Sequence, residues 1–245
     1  MLRCFMIIRF MTLQYWSGRD KNCAMKKVII YGAGYGKIFF YEAERYGIID
    51  IEAFTVDQAY MKNEKECGLP VVPFEEVKRI YPPSKYDMLV VCGYSVMRNR
   101  KIMYEKAKSK GYTLINYISP AAVVESGIKM GDNNIIMSNS VIGYGGLMGN
   151  GNIVCQNVYL GHEFYIGSHT IISAGCTLGG GSRISDLVFI GMGVTARSFL
   201  SYGEESLIGN GSNVLKDVEP FSTCYGNPAK AVGFHKETGV IIKER

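Results

Sequence analysis

From Ala122 to Gly211 the chain divides into fifteen consecutive six-residue units with no insertion: AVVESG, IKMGDN, NIIMSN, SVIGYG, GLMGNG, NIVCQN, VYLGHE, FYIGSH, TIISAG, CTLGGG, SRISDL, VFIGMG, VTARSF, LSYGEE and SLIGNG. The third residue of each unit is aliphatic except at Ala196 and Tyr202, and glycine follows it in nine of the units. A period of six cannot serve an amphipathic α-helix, whose apolar residues recur at spacings of three and four. It predicts a β-solenoid in which each unit supplies a short strand and a turn, with one large aliphatic side chain pointing inward. Three units per triangular coil make eighteen residues a turn and about five coils. The glycine beside the inward residue is expected at the corner, where positive φ or close packing is wanted. No proline lies between 121 and 219, so no coil loses a backbone donor that way.

Residues 25–120 have another rhythm. Lys27–Tyr31 is a short apolar run of the kind that forms a buried parallel strand. Gly32-Ala33-Gly34-Tyr35-Gly36 follows as a turn, and 37–46 reads as a helix. Further strands are expected over 51–56, 69–72, 87–91 and 114–118, with helices over 74–80 and 98–110. This alternation predicts a small Rossmann-like parallel sheet covered on both faces. The glycine turn stands where such folds bind phosphate, and equally where tight geometry alone needs glycine. Lys37 replaces the third glycine of the dinucleotide pattern, which argues against NAD. Asp57, at the tip of the second strand, is either an acceptor for a sugar hydroxyl or an ordinary loop aspartate. Arg98, Arg100 and Lys101 open a helix, where cations oppose the dipole, and are expected to form a solvated basic face.

The net charge of +5 is unevenly placed. Arg3, Arg9, Arg19 and Lys21 against Asp20 put +3 in residues 1–24 and leave +2 for the rest, too little to suggest nucleic acid. The apolar run from Leu2 to Leu13 is broken by Arg3 and Arg9, too short for a membrane span and poor as a signal peptide. Because Met25 opens MKKVIIYGAG, residues 1–24 are expected to be a non-functional extension from an upstream start; contact with a membrane surface is the alternative. Seven scattered cysteines without a C-x-x-C pair read as reduced thiols of a cytoplasmic protein, neither a disulfide frame nor a zinc site.

Three features together carry a family resemblance. They are the opening KKVIIYGAGYGK, the solenoid with Gly161-His162-Glu163, and the ending Val214-Leu215-Lys216-Asp217-Val218 with Tyr225-Gly226-Asn227-Pro228-Ala229-Lys230. Over about residues 25–233 the chain resembles the sialic-acid O-acetyltransferase family of hexapeptide-repeat sugar acyltransferases. Within it, the chain is most similar to the N-acetyltransferases of UDP-linked 4-amino sugars in the bacillosamine pathway. The resemblance implies a left-handed β-helix, an exception to the usual crossover hand. It also implies a homotrimer with acetyl-CoA bound between neighbouring solenoids, and no metal. The domains expected are an extension over 1–24, a nucleotide-sugar-binding domain over 25–120, an acyltransferase β-helix over 121–233 and a tail over 234–245.

By this resemblance His162 is the general base and Glu163 raises its basicity. The physical case runs alongside. A thioester needs a deprotonated nucleophile, and imidazole, with an ordinary pKa of about 6.5, is the natural proton acceptor near neutrality. A carboxylate on the other ring nitrogen fixes its tautomer. Gly180 lies eighteen residues on, one coil or about 4.8 Å away, where its N–H could bind the thioester oxygen. Ile171 takes the place of a second histidine that touches the acetyl group in the family, while His169, two residues earlier, is expected to be structural. The resemblance further implies CoA contacts at Met192 and Asn210 through backbone, at Lys216 towards the phosphates and at Pro228, and nucleotide-sugar contacts at Gly34, Tyr35 and Asp57. The family's glycine turn often has one more residue and a histidine in place of Tyr35.

The expected activity is acetyl-CoA-dependent N-acetylation of an amino sugar on a nucleotide carrier, for surface glycan synthesis. O-acetylation of a sialic acid or another sugar hydroxyl is the alternative. A carbonic anhydrase on a similar solenoid needs three zinc histidines, whereas His235 lies beyond the coils and leaves only His162 and His169. A non-catalytic scaffold would need neither the His-Glu pair nor the G-N-P-A-K tail. Serine acetyltransferases share the repeat, but their helical N-terminal domain is unlike residues 25–120.

Overall fold

The computed structural model describes residues 27–242, so the expected extension over 1–24 lies outside the described residues. The chain divides into two compact units, one reaching Gly93 and including 102–120, the other made of 94–101 and the chain from Ala121 onward.

The first unit is built on strands β1 (Lys27–Tyr31), β2 (Ile51–Val56), β3 (Lys65–Glu66), β4 (Leu69–Pro73) and β5 (Tyr86–Val90) in the order β3-β4-β2-β1-β5. The four longer strands run parallel, with Ile30 opposite both Phe54 and Leu89, and β3 adds an antiparallel edge that sequence patterning misses. Helix α1 (Ala33–Tyr46) buries Phe39, Phe40 and Ala43, the i, i+1, i+4 face that its sequence offers the sheet. It begins four residues before the expected start, because Gly32 alone makes the turn. Gly32 has φ of 116°, and a Cβ there would sit 2.3 Å from the Val91 carbonyl oxygen, so no other residue fits. Gly34, Tyr35 and Gly36 are already helical. The helix expected over 74–80 shrinks to α2 (Val77–Ile80), since Phe74 instead packs flat on Tyr31 with ring centroids 4.0 Å apart. Helix α3 (Arg98–Ser109) contributes Tyr104 and Ala107 to a core with Ile29, Tyr31, Ala53, Met88 and Leu114.

In the second unit every hexad becomes a two-residue strand at its second and third positions, paired in parallel with the strand eighteen residues away: Val141 with Tyr159, Leu147 with Tyr165, Ile153 with Ile171. Three faces result. Among the hexads, the first face starts at Val123–Val124, the second at Lys129–Met130 and the third at Ile135–Ile136. The repeat runs one unit further than the fifteen read from sequence, to Asn213–Val214. Third-position side chains fill the interior, with Ile142, Leu160, Ile172, Leu178, Ile184, Ile190 and Ile208 all buried. Each fully buried aliphatic of this size contributes roughly 1.5–3 kcal/mol over leaving it exposed.

The two roles assigned to the fourth-position glycine separate in the structure. Positive φ belongs to the sixth position, which is left-handed throughout from Gly127 to Gly211, with Asn133, Asn139, Asn157, Glu163, His169, Leu187, Phe199 and Glu205 among its occupants. The fourth position needs glycine for close approach: a Cβ on Gly161 would lie 2.3 Å from the Gly180 nitrogen of the next coil. Asparagine is frequent at the sixth position because it tolerates the left-handed region best among residues with a Cβ.

Of the three cations that open α3, Lys101 is exposed as expected, but Arg98 and Arg100 are not part of a solvated face. Arg98 donates to Glu205 at 2.8 Å and to the carbonyls of Lys236 and Glu237. Arg100 is buried, donating to the carbonyls of Gly151 at 2.6 Å and His169 at 3.0 Å. The Tyr94 ring packs on Phe189, so residues 94–101 lie over the third face. Solenoid carbonyls therefore compensate the cations that the helix dipole disfavours. Beyond the coils, Ser222–Gly226 continues the third face through Thr223 opposite Leu207, then turns through a cis Asn227–Pro228 bond into antiparallel Ala229–Phe234.

Candidate active site

Positions eighteen apart stack in columns, so the fifth residues of successive units form a line along each corner. At the corner between the first and second faces this line is Ser126, Tyr144, His162, Gly180 and Ser198. His162 Nδ1 is 3.1 Å from Glu163 Oε2. The left-handed φ of 52° at Glu163 turns the chain so that adjacent side chains meet. On one side of the imidazole lies the Tyr144 ring, nearly parallel at 13° with centroids 5.4 Å apart. On the other lies Gly180, where a Cβ would stand 2.6 Å from Nε2, 2.8 Å from Cδ2 and 2.9 Å from Cε1. The ring is thus held between two coils, with Nδ1 engaged and Nε2 at its outer edge.

Among the described residues, the Gly180 N–H donates no hydrogen bond, whereas the N–H groups of Asp132, Asn150, Ser168 and Met192, fifth residues at other corners, are taken by polar side chains of the next coil. A base braced by a carboxylate, with an amide donor one coil on, is an arrangement suited to acyl transfer.

The other sequence-predicted residues fall in separate places. Lys216 follows the last strand of the first face, where the eighteen-residue register ends: Val218 pairs with Tyr202, sixteen residues back. Met192 and Asn210 share the corner between the third and first faces, where the Met192 N–H is bound to Asn210 Oδ1 at 2.9 Å and its carbonyl accepts the Gly211 N–H at 2.8 Å, so both backbone groups are already engaged. Pro228 sits at the tip of the C-terminal hairpin, tied in by Asn213 Nδ2 donating to Asn227 at 3.1 Å. Ile171 is only 1 % exposed on the third face, where it presents no surface for a cofactor. His169 is 5 % exposed, and burial, then the Arg100 guanidinium, push its imidazole down to about 4.

In the first unit, Gly34 is exposed in the first turn of α1, where a Cβ would meet nothing within 4 Å, and Tyr35 is half-buried. Both Asp57 oxygens are engaged, one by the Tyr31 hydroxyl at 2.9 Å and the other by Lys106 at 2.8 Å. Burial and this bond together hold the Tyr31 phenol well above its usual range. Sequence reading overlooked Tyr144; its position eighteen residues before His162 is the signal that points to it.

No family model matches the chain. The acetyltransferase domain of PglB from Neisseria gonorrhoeae, also solved in complex with acetyl coenzyme A, is 26% identical over 85% of this chain and 100% of that one, with TM-scores of 0.76 and 0.77. GDP-perosamine N-acetyltransferase from Caulobacter crescentus, solved with CoA and GDP-perosamine, shares the fold at 23% identity and a TM-score of 0.78, over 86% of this chain and 98% of that one. A Schizosaccharomyces pombe protein named as an acetyltransferase is 45% identical over 49 residues, which span 20% of this chain and 24% of that protein's length. These likenesses bear out the sequence resemblance: the chain shares the fold of, and is similar to, acetyltransferases of the hexapeptide-repeat, left-handed β-helix type.

Proposed function

We propose that the protein transfers the acetyl group of acetyl-CoA to the amine of a nucleotide-linked amino sugar, in the cytoplasm, for surface glycan synthesis. The observation that carries this reading is the His162 imidazole, braced by Glu163 and facing Gly180 across one coil. His162 Nε2 takes a proton from the acceptor amine as its lone pair attacks the thioester carbonyl carbon. The Gly180 N–H receives the developing oxyanion, and the C–S bond then breaks as the imidazolium returns its proton to the departing sulfur, releasing CoA as the thiol with no covalent enzyme intermediate. Glu163 keeps the proton on Nδ1 and supports the imidazolium.

The corner fits the acyl donor. The space beside Nε2 exists only because residue 180 lacks a Cβ. Lys216 lies two residues beyond Val214, whose strand is three coils, or about 14 Å at about 4.8 Å per coil, on from Leu160, a span suited to a pantetheine arm ending in phosphates. Met192, Asn210 and Pro228 lie on other edges of the solenoid, which suits a homotrimer whose neighbouring protomers complete each CoA site. Gly34, Tyr35 and Asp57 are the proposed contacts of the nucleotide sugar in the sheet unit. Asp57 would there exchange a Lys106 bond for a sugar hydroxyl. Both bound relatives support these partners, the first by its acetyl coenzyme A and the second by its CoA and GDP-perosamine.

The test is thiol release from acetyl-CoA with UDP-, dTDP- and GDP-linked 3- and 4-amino sugars, with sialic acid as the O-acceptor control. Turnover with an amino sugar that disappears in His162→Ala supports the reading. Turnover with sialic acid alone, or wild-type rates in His162→Ala, overturns it. Light scattering of a stable monomer would remove the shared CoA site.

A further inference from the structure

We propose that Tyr144 is a positioning residue for His162, an inference that rests on the catalytic reading above. Tyr144 occupies the corner column one coil before His162, and its ring lies 13° from parallel to the imidazole at 5.4 Å. The backbone reinforces the register, since the Tyr144 carbonyl accepts the Glu163 N–H at 2.8 Å, so the residue that stacks on the base also anchors the carboxylate-bearing residue. Gly180 closes the opposite side, its missing Cβ pointing at the ring.

A histidine side chain on an open corner would otherwise rotate about two side-chain bonds. Sandwiched, it keeps its plane across the solenoid axis, and Nε2 can take a proton only from an acceptor lying in that plane. Tyr144 itself is 55% exposed, more than a core residue would be, so its ring contributes little to stability and its packing is spent on the imidazole. Its hydroxyl has no part in this, and phenylalanine should substitute for it. Misplacing a catalytic group by about 1 Å can cost about a hundredfold in rate.

Two measurements test this. In steady-state kinetics, Tyr144→Phe should stay within about twofold of wild type, while Tyr144→Ala should lose about ten- to a hundredfold in kcat with the KM for acetyl-CoA unchanged. In proton NMR without substrate, the His162 ring protons, assignable because the chain has three histidines, should move downfield in Tyr144→Ala as the stacked ring current is lost. An alanine variant with wild-type kcat, a loss confined to KM, or unmoved His162 resonances would each overturn the proposal. If the resonances move as expected but His162→Ala is fully active, the stack stands and it is the assignment of the base that fails.

Discussion

The Cα of Gly180 lies so near the His162 imidazole that a methyl group there would come within 2.6 Å of Nε2. Its φ is not in the left-handed region, so alanine meets no backbone strain at this position. Gly180→Ala should therefore leave thermal stability close to wild type while pushing the imidazole out of line. A loss of at least about tenfold in kcat is expected, measured by thiol release beside a melting curve. Unchanged turnover would mean that the space beside Nε2 is not used.

Glu163 combines a carboxylate on His162 with a left-handed backbone that disfavours any residue bearing a Cβ. Glu163→Gly should move the two properties in opposite directions. Unfolding free energy should hold or rise by up to about 1 kcal/mol as the strain is relieved, while kcat falls by about tenfold or more as the imidazole loses its partner. Chemical denaturation and turnover, read on the same sample, separate the effects.

His169 gives the fold a pH dependence of known sign. Burial, then Arg100, lower its pKa from 6.5 in the unfolded chain to about 4 in the folded one. Between those values the unfolded state binds a proton that the folded state does not, so stability is complete above about pH 6.5 and falls as pH drops towards 4. At about 1.4 kcal/mol per pH unit for one proton, the loss is on the order of 3 kcal/mol. His169→Asn, which suits the left-handed φ of 62°, should flatten the stability profile over that window. A profile unchanged by the substitution would assign the acid sensitivity to other groups.

Tyr202 stands where the repeat calls for an aliphatic residue, and its buried hydroxyl has no hydrogen-bond partner among the described residues. Tyr202→Phe keeps the ring and removes the unsatisfied group. Its effect should lie between neutral and about 1 kcal/mol of stabilisation, where most core substitutions destabilise. A clear loss on denaturant unfolding would show that the hydroxyl has a partner after all.

The solenoid was legible because one aliphatic residue must enter the interior every six positions, and Ile142, Leu160 and Ile172 do so. The corner rule was half legible. Glycine at the fourth position caught the eye, yet the left-handed residue is the sixth, where Leu187 and Phe199 disguise it because neighbouring coils enforce the geometry. His162, Glu163 and Gly180 could be placed together by counting eighteens. Tyr144 obeys the same count, but aromatic residues are so common on solenoid surfaces that only the observed stacking singles it out. Arg100 was read as solvated because the carbonyls that hold it, on Gly151 and His169, are distant in sequence and invisible to local pattern.

The corner column behaves like a graduated scale. Every eighteen residues advance it by one mark without altering what any single coil must satisfy, so the span from His162 to Ser198 is an integer choice and not a matter of loop tuning. Deleting one whole coil between them would shorten that span by a single step while leaving the strands above and below able to re-pair. Evolution or an engineer could in this way lengthen or shorten the edge without redesigning the corner at its end.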